Sequence, residues 1–248
     1  AEISNMKLDD SSPFVGNSAF AHKAGVHVNA VLKNPKTYEH VDPALVGNRR
    51  RLLISELGGK SAILSKAKEI EVELKKDEGK AKRILKLVQE LEHKGYAFEA
   101  AEASFELLMK KAVKKIEKFF ELLDFRVIIE KRDKKLTSEA IIKLKVKGKL
   151  EHTAALGDGP VNALDNALRK ALTEFYPNLS GMHLSDFKVR VLDEKGGTAA
   201  KVRVLIQSQD KSDSWWTVGV SPNLIEASWQ ALSDSIEYKL LKDLGKKK

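Results

Sequence analysis

The segment DFRVIIEKRDKKLTSEAIIKLKVKGKLEHTAALGDGP (124–160) is followed, 62 residues on, by DFKVRVLDEKGGTAAKVRVLIQSQDKSDSWWTVGVSP (186–222). Asp124-Phe125-Arg126-Val127 aligns with Asp186-Phe187-Lys188-Val189, and Ile129 with Val191. Ala140, Ile142 and Leu144 align with Val202, Val204 and Ile206, and Gly157 and Pro160 with Gly219 and Pro222. Matches in order and without a gap mark an internal repeat. FRVIIEK (125–131), EAIIKLKV (139–146), FKVRVLD (187–193), KVRVLIQS (201–208) and WWTVGV (215–220) predict strands. VNALDNALRKAL (161–172) and NLIEASWQALSDSIEYKLL (223–241) predict helices, each with a proline at about its first helical position. Each copy reads strand, strand, strand, Gly-x-x-Pro, helix. Two such βββα copies over 119–242 predict a pseudo-twofold α+β domain with helices on one face of antiparallel strands. The other surface of such a unit is expected to pair with a second subunit.

Upstream of the repeat, residues 64–118 contain no proline and read as helix. Ile84, Val88, Leu91, Phe98, Ala101, Phe105, Leu108 and Ala112 follow a helical period, and Gly95 predicts a kink or hairpin between two halves. Residues 1–63 are irregular and punctuated by Pro13, Gly16, Gly25, Asn34-Pro35, Asp42-Pro43, Gly47-Asn48 and Gly58-Gly59, with one helical stretch expected within Ser18 to Leu32. Long irregular segments in a compact protein are usually functional or packed on something else. Residues 243–248 form a basic tail.

The 248 residues, 42% hydrophobic and 32% charged, suffice for one large domain or two or three small ones with a buried core. No apolar run approaches the roughly 18 residues of a membrane-crossing helix. The start, AEISNMKLDDSS, carries no secretory signal, and its lack of Met leads us to expect a chain that begins inside a longer protein. With no cysteine there is no disulfide, thiolate metal site or cysteine nucleophile, and the expected compartment is the cytoplasm. The net charge of +9 is spread over lysine-rich stretches interleaved with Glu69, Glu71, Glu73, Asp77 and Glu78. Interleaving makes a solvated face, not the one-signed stripe that nucleic acid requires, so no nucleic-acid partner is expected.

Two places carry possible chemistry. In Gly157-Asp158-Gly159-Pro160 the glycines allow close backbone approach and the proline opens a helix, whose N-terminal N–H groups can hold a carboxylate. Gly219-Val220-Ser221-Pro222-Asn223 offers a second such turn. The ligand suited to it is small and bears a carboxylate, such as an amino acid; the competing reading is an ordinary tight turn. In the irregular zone, His22 and His27 stand five apart, a poor spacing for two metal ligands on one helical face. A single histidine acting in proton transfer fits better, with the Tyr38 phenol as complement. No phosphate loop, dinucleotide fingerprint, nucleophile elbow or zinc helix is present.

The segment Ala19-Phe-Ala-His-Lys-Ala-Gly-Val-His27, then Lys33-Asn-Pro-Lys-Thr-Tyr-Glu-His-Val-Asp-Pro43, then Val46-Gly-Asn48, resembles the 2-isopropylmalate synthase/citramalate synthase family. Gly157-Asp-Gly-Pro-Val161 resembles the start of that family's regulatory domain. YEHVDPALVGN (38–48), ELEHKGYAFEAAEASFELL (90–108) and VGVSPNLIEASWQAL (218–232) are most similar to its citramalate synthase type.

The resemblance implies a TIM barrel followed by a two-part linker and a regulatory domain of two βββα units. This chain would hold linker subdomain I (1–63), helical subdomain II (64–118), the regulatory domain (119–242) and the tail (243–248), but no barrel. It implies an acyltransferase joining acetyl-CoA to a 2-oxo acid, pyruvate in the citramalate type and 2-oxoisovalerate in the isopropylmalate type. The divalent metal belongs to the barrel, so no cofactor is expected on this chain and the chain alone should be inactive. His22 and Tyr38 are the implied catalytic residues, reaching the barrel of a partner subunit in a homodimer. Gly157, Asp158, Gly159 and Asn162, with Ser221 and Pro222, are the implied site for an isoleucine or leucine effector. The alternative of another class is a stand-alone amino-acid-binding module.

Overall fold

A computed structural model describes residues 9, 11–16, 18–22, 25–48, 50–52, 78–113, 118–192 and 194–245. The chain divides into two compact units, Ala1–His93 and Lys94–Lys248. The start of the expected helix at 64, the lysines and acids before residue 78 and the last three lysines lie outside the described residues.

The first unit holds β1 (Ala21–His22), α1 (Gly25–Lys33), β2 (Arg51–Leu52) and α2 (Glu78–His93). Strands β1 and β2 pair in parallel, Ala21 opposite Arg51 and His22 opposite Leu52. Between α1 and β2 the chain makes two 3-10 turns, Pro35–Thr37 and Pro43–Val46. Each opens with proline, whose missing N–H is no loss at that position. Asn34 Oδ1 accepts from Lys36 N at 3.2 Å and Asp42 Oδ1 from Ala44 N at 3.0 Å, capping the two turns. Asn48 donates through Nδ2 to the carbonyls of Phe14 (2.8 Å) and Gly16 (3.0 Å), tying the early turns to the segment before β2. In α2, Ala81, Ile84 and Val88 form the buried stripe that the helical period predicts.

The second unit begins where the helix breaks at Gly95, which has a φ of 111°. After the turn Phe98–Ala100 come α3 (Glu102–Val113), β3 (Phe120–Arg132), β4 (Lys135–Val146), β5 (Lys149–Gly157) and α4 (Pro160–Leu172). Then come β6 (His183–Val191), β7 (Val202–Gln209), β8 (Ser214–Ser221) and α5 (Leu224–Gly245). The strands form two antiparallel meanders, β3-β4-β5 and β6-β7-β8. The fold is therefore α+β with two βββα copies. The inner face of β4 (Ala140, Ile142, Leu144, Val146) and its counterparts Val204 and Ile206 are buried with Leu164, Leu168 and Leu172 of α4 and Leu232, Ile236 and Leu240 of α5.

The structure corrects the repeat in one respect: it is gapped. A bulge lies at Leu122/Asp124 in β3 and at Leu184/Asp186 in β6, so the first strands are 62 residues apart. Phe125 faces Ile142, which faces Thr153; Phe187 faces Ile206, which faces Thr217. The threonine hydroxyls donate to equivalent helical carbonyls, Ala167 and Ala231, each at 2.8 Å. From the second strand onward the copies are thus 64 residues apart, and Ile142 corresponds to Ile206, not Val204. Ten residues, including the 3-10 stretch Glu194–Ala199, separate the paired Val191 and Val202, where eight separate the equivalent pair Ile129 and Ser138, so the second copy is longer there by two. A shift of two preserves which side chains face the core, so the hydrophobic pattern cannot register it.

This correction explains a buried ion pair. Val146 of the first copy is matched by Asp210, whose Oδ2 accepts from Lys239 Nζ at 2.8 Å and Lys242 Nζ at 3.3 Å. Burial opposes the Asp210 charge, but the Lys239 hydrogen bond and the Ser212 amide hold the carboxyl well below the usual range.

Helix α3 lies against α5 and β8 through a polar seam. Ser104 Oγ donates to Asp234 Oδ2 (2.7 Å) while accepting from Val218 N (3.0 Å), and Tyr96 Oη donates to Gln230 Oε1 (2.9 Å). Burial pushes the Asp234 carboxyl up to about 6, with Glu237 acting in the same direction and Ser104 and Lys111 against it. Between pH 4 and 6 the folded chain therefore keeps a proton that the unfolded chain has released, and stability falls as pH rises through that window. With 29% of the side chain exposed, solvent screening leaves about 1–2 kcal/mol of this effect. Urea unfolding at about pH 3 and pH 7.5 checks it: Asp234→Asn should gain about 1–2 kcal/mol on the wild type at the higher pH and close to nothing at the lower.

Candidate functional site

In the first unit three rings converge. Tyr38 closes the Pro35–Thr37 turn and is 47% exposed. Its ring lies 4.2 Å from that of His27, on α1, and 6.5 Å from that of His22, on β1. The two residues expected to act together, His22 and Tyr38, are thus brought into one cluster, and His27 joins them. The environments of the two histidines differ. His22 is nearly buried, with Nε2 bonded to Glu39 Oε1 at 2.9 Å. His27 is exposed and rests on the face of Tyr38. Sequence reasoning missed Glu39 and Arg50: Arg50 donates through Nε to Oε1 (2.7 Å) and through Nη2 to Oε2 (2.5 Å) of Glu39. An imidazole, a phenol and a second imidazole at a surface can donate, accept or relay protons to a bound carbonyl compound.

In the second unit Gly157, Asp158, Gly159 and Asn162 form one turn at the start of α4. Gly157 approaches the helix so closely that a Cβ there would lie 2.3 Å from Ala163 N. Asp158 N donates to Asn162 Oδ1 at 3.1 Å, and Asn166 Nδ2 donates to Leu156 O at 3.0 Å, fixing the turn. The N-cap Gly159 has no side chain to accept from the first-turn amides, and Pro160 occupies the first helical position. Among the described residues the N–H groups of Val161 and Asn162 meet no capping side chain and can face an anion.

The second copy is different. Ser221 Oγ accepts from Asn223 N (3.1 Å), and Asn223 Oδ1 accepts from Ile225 N (2.8 Å) and Glu226 N (3.2 Å). Asn223 is therefore the cap of α5, and Pro222 precedes the cap instead of opening the helix, correcting the expectation from sequence. The amides that would hold a carboxylate at α5 already have a partner. The two copies share a fold and not a ligand end, and among the described residues no hydrogen bond joins the two turns.

Residues 99–240 match the family described as the LeuA allosteric (dimerisation) domain. The chain belongs to that family. Residues 14–95 also match the homocitrate synthase post-HMGL domain-like family, so the ring cluster falls in one matched region and the helix-start turns in the other. Over nearly the whole chain (97–98%), identity is 55% to an (R)-citramalate synthase of Aquifex aeolicus and 56% to one of Geobacter sulfurreducens, in each case over 46% of the relative. A 2-isopropylmalate synthase of Methanocaldococcus jannaschii is 28% identical over 98% of this chain and 45% of its own length. The chain thus spans about half the length of the curated relatives it matches. Among the described residues no group of three or more His, Asp or Glu side chains is placed so that it could hold a metal ion. None of the described helices is long and apolar enough to cross a membrane.

Proposed function

We propose that this chain is the linker and regulatory portion of an (R)-citramalate synthase. The observation that carries the reading is the difference between 55–56% identity to enzymes named for that activity and 28% to a 2-isopropylmalate synthase. In the reaction, the methyl carbon of acetyl-CoA loses a proton and bonds to the keto carbon of pyruvate. Water then cleaves the thioester, releasing coenzyme A. His22 and Tyr38, with His27 beside them, serve proton transfer at the mouth of a partner subunit's barrel in a cytoplasmic homodimer. A divalent metal in that barrel would supply Lewis-acid chemistry at the keto group.

The regulatory unit takes isoleucine. Its carboxylate sits at the open start of α4, on the Val161 and Asn162 amides in the turn formed by Gly157, Asp158, Gly159 and Asn162. Because the effector does not touch substrate, it acts by favouring one of two arrangements of the linker, and the shift it can cause is limited by its differential affinity for the two.

Calorimetry on this chain with isoleucine and leucine tests the effector. Isoleucine is expected to bind at least about tenfold more tightly, and Gly159→Asp, which sets a carboxylate at the open helix start, should abolish the heat. No heat from either amino acid would refute the effector site. For the full-length enzyme, preference for 2-oxoisovalerate over pyruvate would assign the activity to 2-isopropylmalate synthase instead.

A further inference from the structure

Beneath the three rings lies a buried ionic base. Tyr38 and Glu39 are neighbours in the chain, and both backbone N–H groups donate to Pro35 O, at 3.2 and 3.0 Å. Their side chains part company: that of Glu39 is 3% exposed, while Tyr38 turns outward to His27. Arg50 grips both Glu39 oxygens in the fork geometry that suits a carboxylate. That hydrogen bond holds the Glu39 carboxyl below the usual range in spite of its burial, so the group is ionised and only accepts. The atom of His22 facing it at 2.9 Å, Nε2, must then carry the proton, which leaves the lone pair of a neutral ring on Nδ1.

We infer that Glu39, clamped by Arg50, is a positioning residue of the linker tip. It fixes the His22 ring with its proton on Nε2 and, through its chain neighbour, holds Tyr38 outward against His27. Its consequence for catalysis rests on the reading of this tip as part of an acyltransferase active site; the ring geometry does not depend on that reading. The ion pair is buried on the Glu39 side, so it resists screening by salt far better than a surface pair does.

Two measurements test the inference. In this chain, long-range nitrogen–proton spectra of His22 should show the Nε2–H form alone, and cross-relaxation should connect the His27 and Tyr38 rings. In Glu39→Gln, whose amide can donate as well as accept, both tautomers should appear and the ring contact should weaken. In the full-length enzyme Glu39→Gln should lower kcat about tenfold with KM values within about twofold and melting little changed, and Arg50→Lys should give a smaller loss of the same kind. An unchanged tautomer and ring contact in Glu39→Gln would overturn the inference, as would a kcat loss that appears only together with loss of fold. If the wild-type full-length enzyme performs no condensation, the functional reading fails and the spectra alone decide the role of Glu39.

Discussion

Gly219→Ala is expected to destabilise the regulatory unit by at least about 3 kcal/mol, the upper end of the cost of overpacking. Gly219 stands in β8, opposite Val204, where α5 crosses the strand. A Cβ there would lie 2.0 Å from the carbonyl oxygen of Ala227 and 2.9 Å from Cβ of Gln230. The first of these is helix backbone, so no rotamer change relieves the contact. The helix would have to lift from the sheet, and α5 carries Leu232, Ile236 and Leu240 of the core. Gly157→Ala meets the amide and Cα of Ala163 at 2.3 and 2.7 Å and should behave alike. Gly159→Ala, with nothing within 4 Å, is the control. Urea unfolding of the three variants measures the ranking; a Gly219→Ala midpoint equal to that of wild type would show that α5 moves away freely.

Elements with a hydrophobic period were legible in the amino-acid order. Five of the six strands, both helices of the copies and the break at Gly95 lie where alternation, helical spacing and a lone glycine put them, while β5 (Lys149–Gly157) was implied only by the repeat. The gap between the copies was not legible, because a slip of two leaves every core position on its own face. Nor was the exchange of Val146 for Asp210, since a buried charge is recognisable only once Lys239 and Lys242 are beside it. At the helix starts the Gly-x-x-Pro pattern overstated the symmetry. Asn223, a strong capping residue one position after Pro222, was the available signal that α5 is already capped. In the linker, Asn34-Pro35 and Asp42-Pro43 announced the two 3-10 turns, and the structure places the Tyr38 ring 6.5 Å from that of His22. The spacing of five between His22 and His27 speaks only to a shared metal and does not bear on a histidine that meets a tyrosine from another turn. Glu39 and Arg50 carry no signature at all; eleven residues apart, they meet only because β1 and β2 pair.

In the full-length enzyme proposed above, Tyr38→Phe is expected to lower turnover about a hundredfold while leaving the dimer intact, the size of a lost acid–base group. Phenylalanine keeps the ring that rests on His27 at 4.2 Å, so a loss would report the hydroxyl and not the packing. The two histidines separate by the same logic. His22 has Nε2 committed to Glu39 and only 11% of its side chain exposed, so it can meet substrate through Nδ1 alone. His27 is exposed, with its ring held by Tyr38 and no carboxylate on it among the described residues. His22→Ala should therefore lower turnover through loss of Nδ1, and His27→Ala should lower it less, through the support it gives Tyr38. The reverse order, with His22→Ala near wild type and His27→Ala inactive but folded, would move proton transfer to His27. Unchanged turnover in all three variants, with dimer and melting intact, would remove the ring cluster from the active site and leave this unit a structural link between catalysis and the effector.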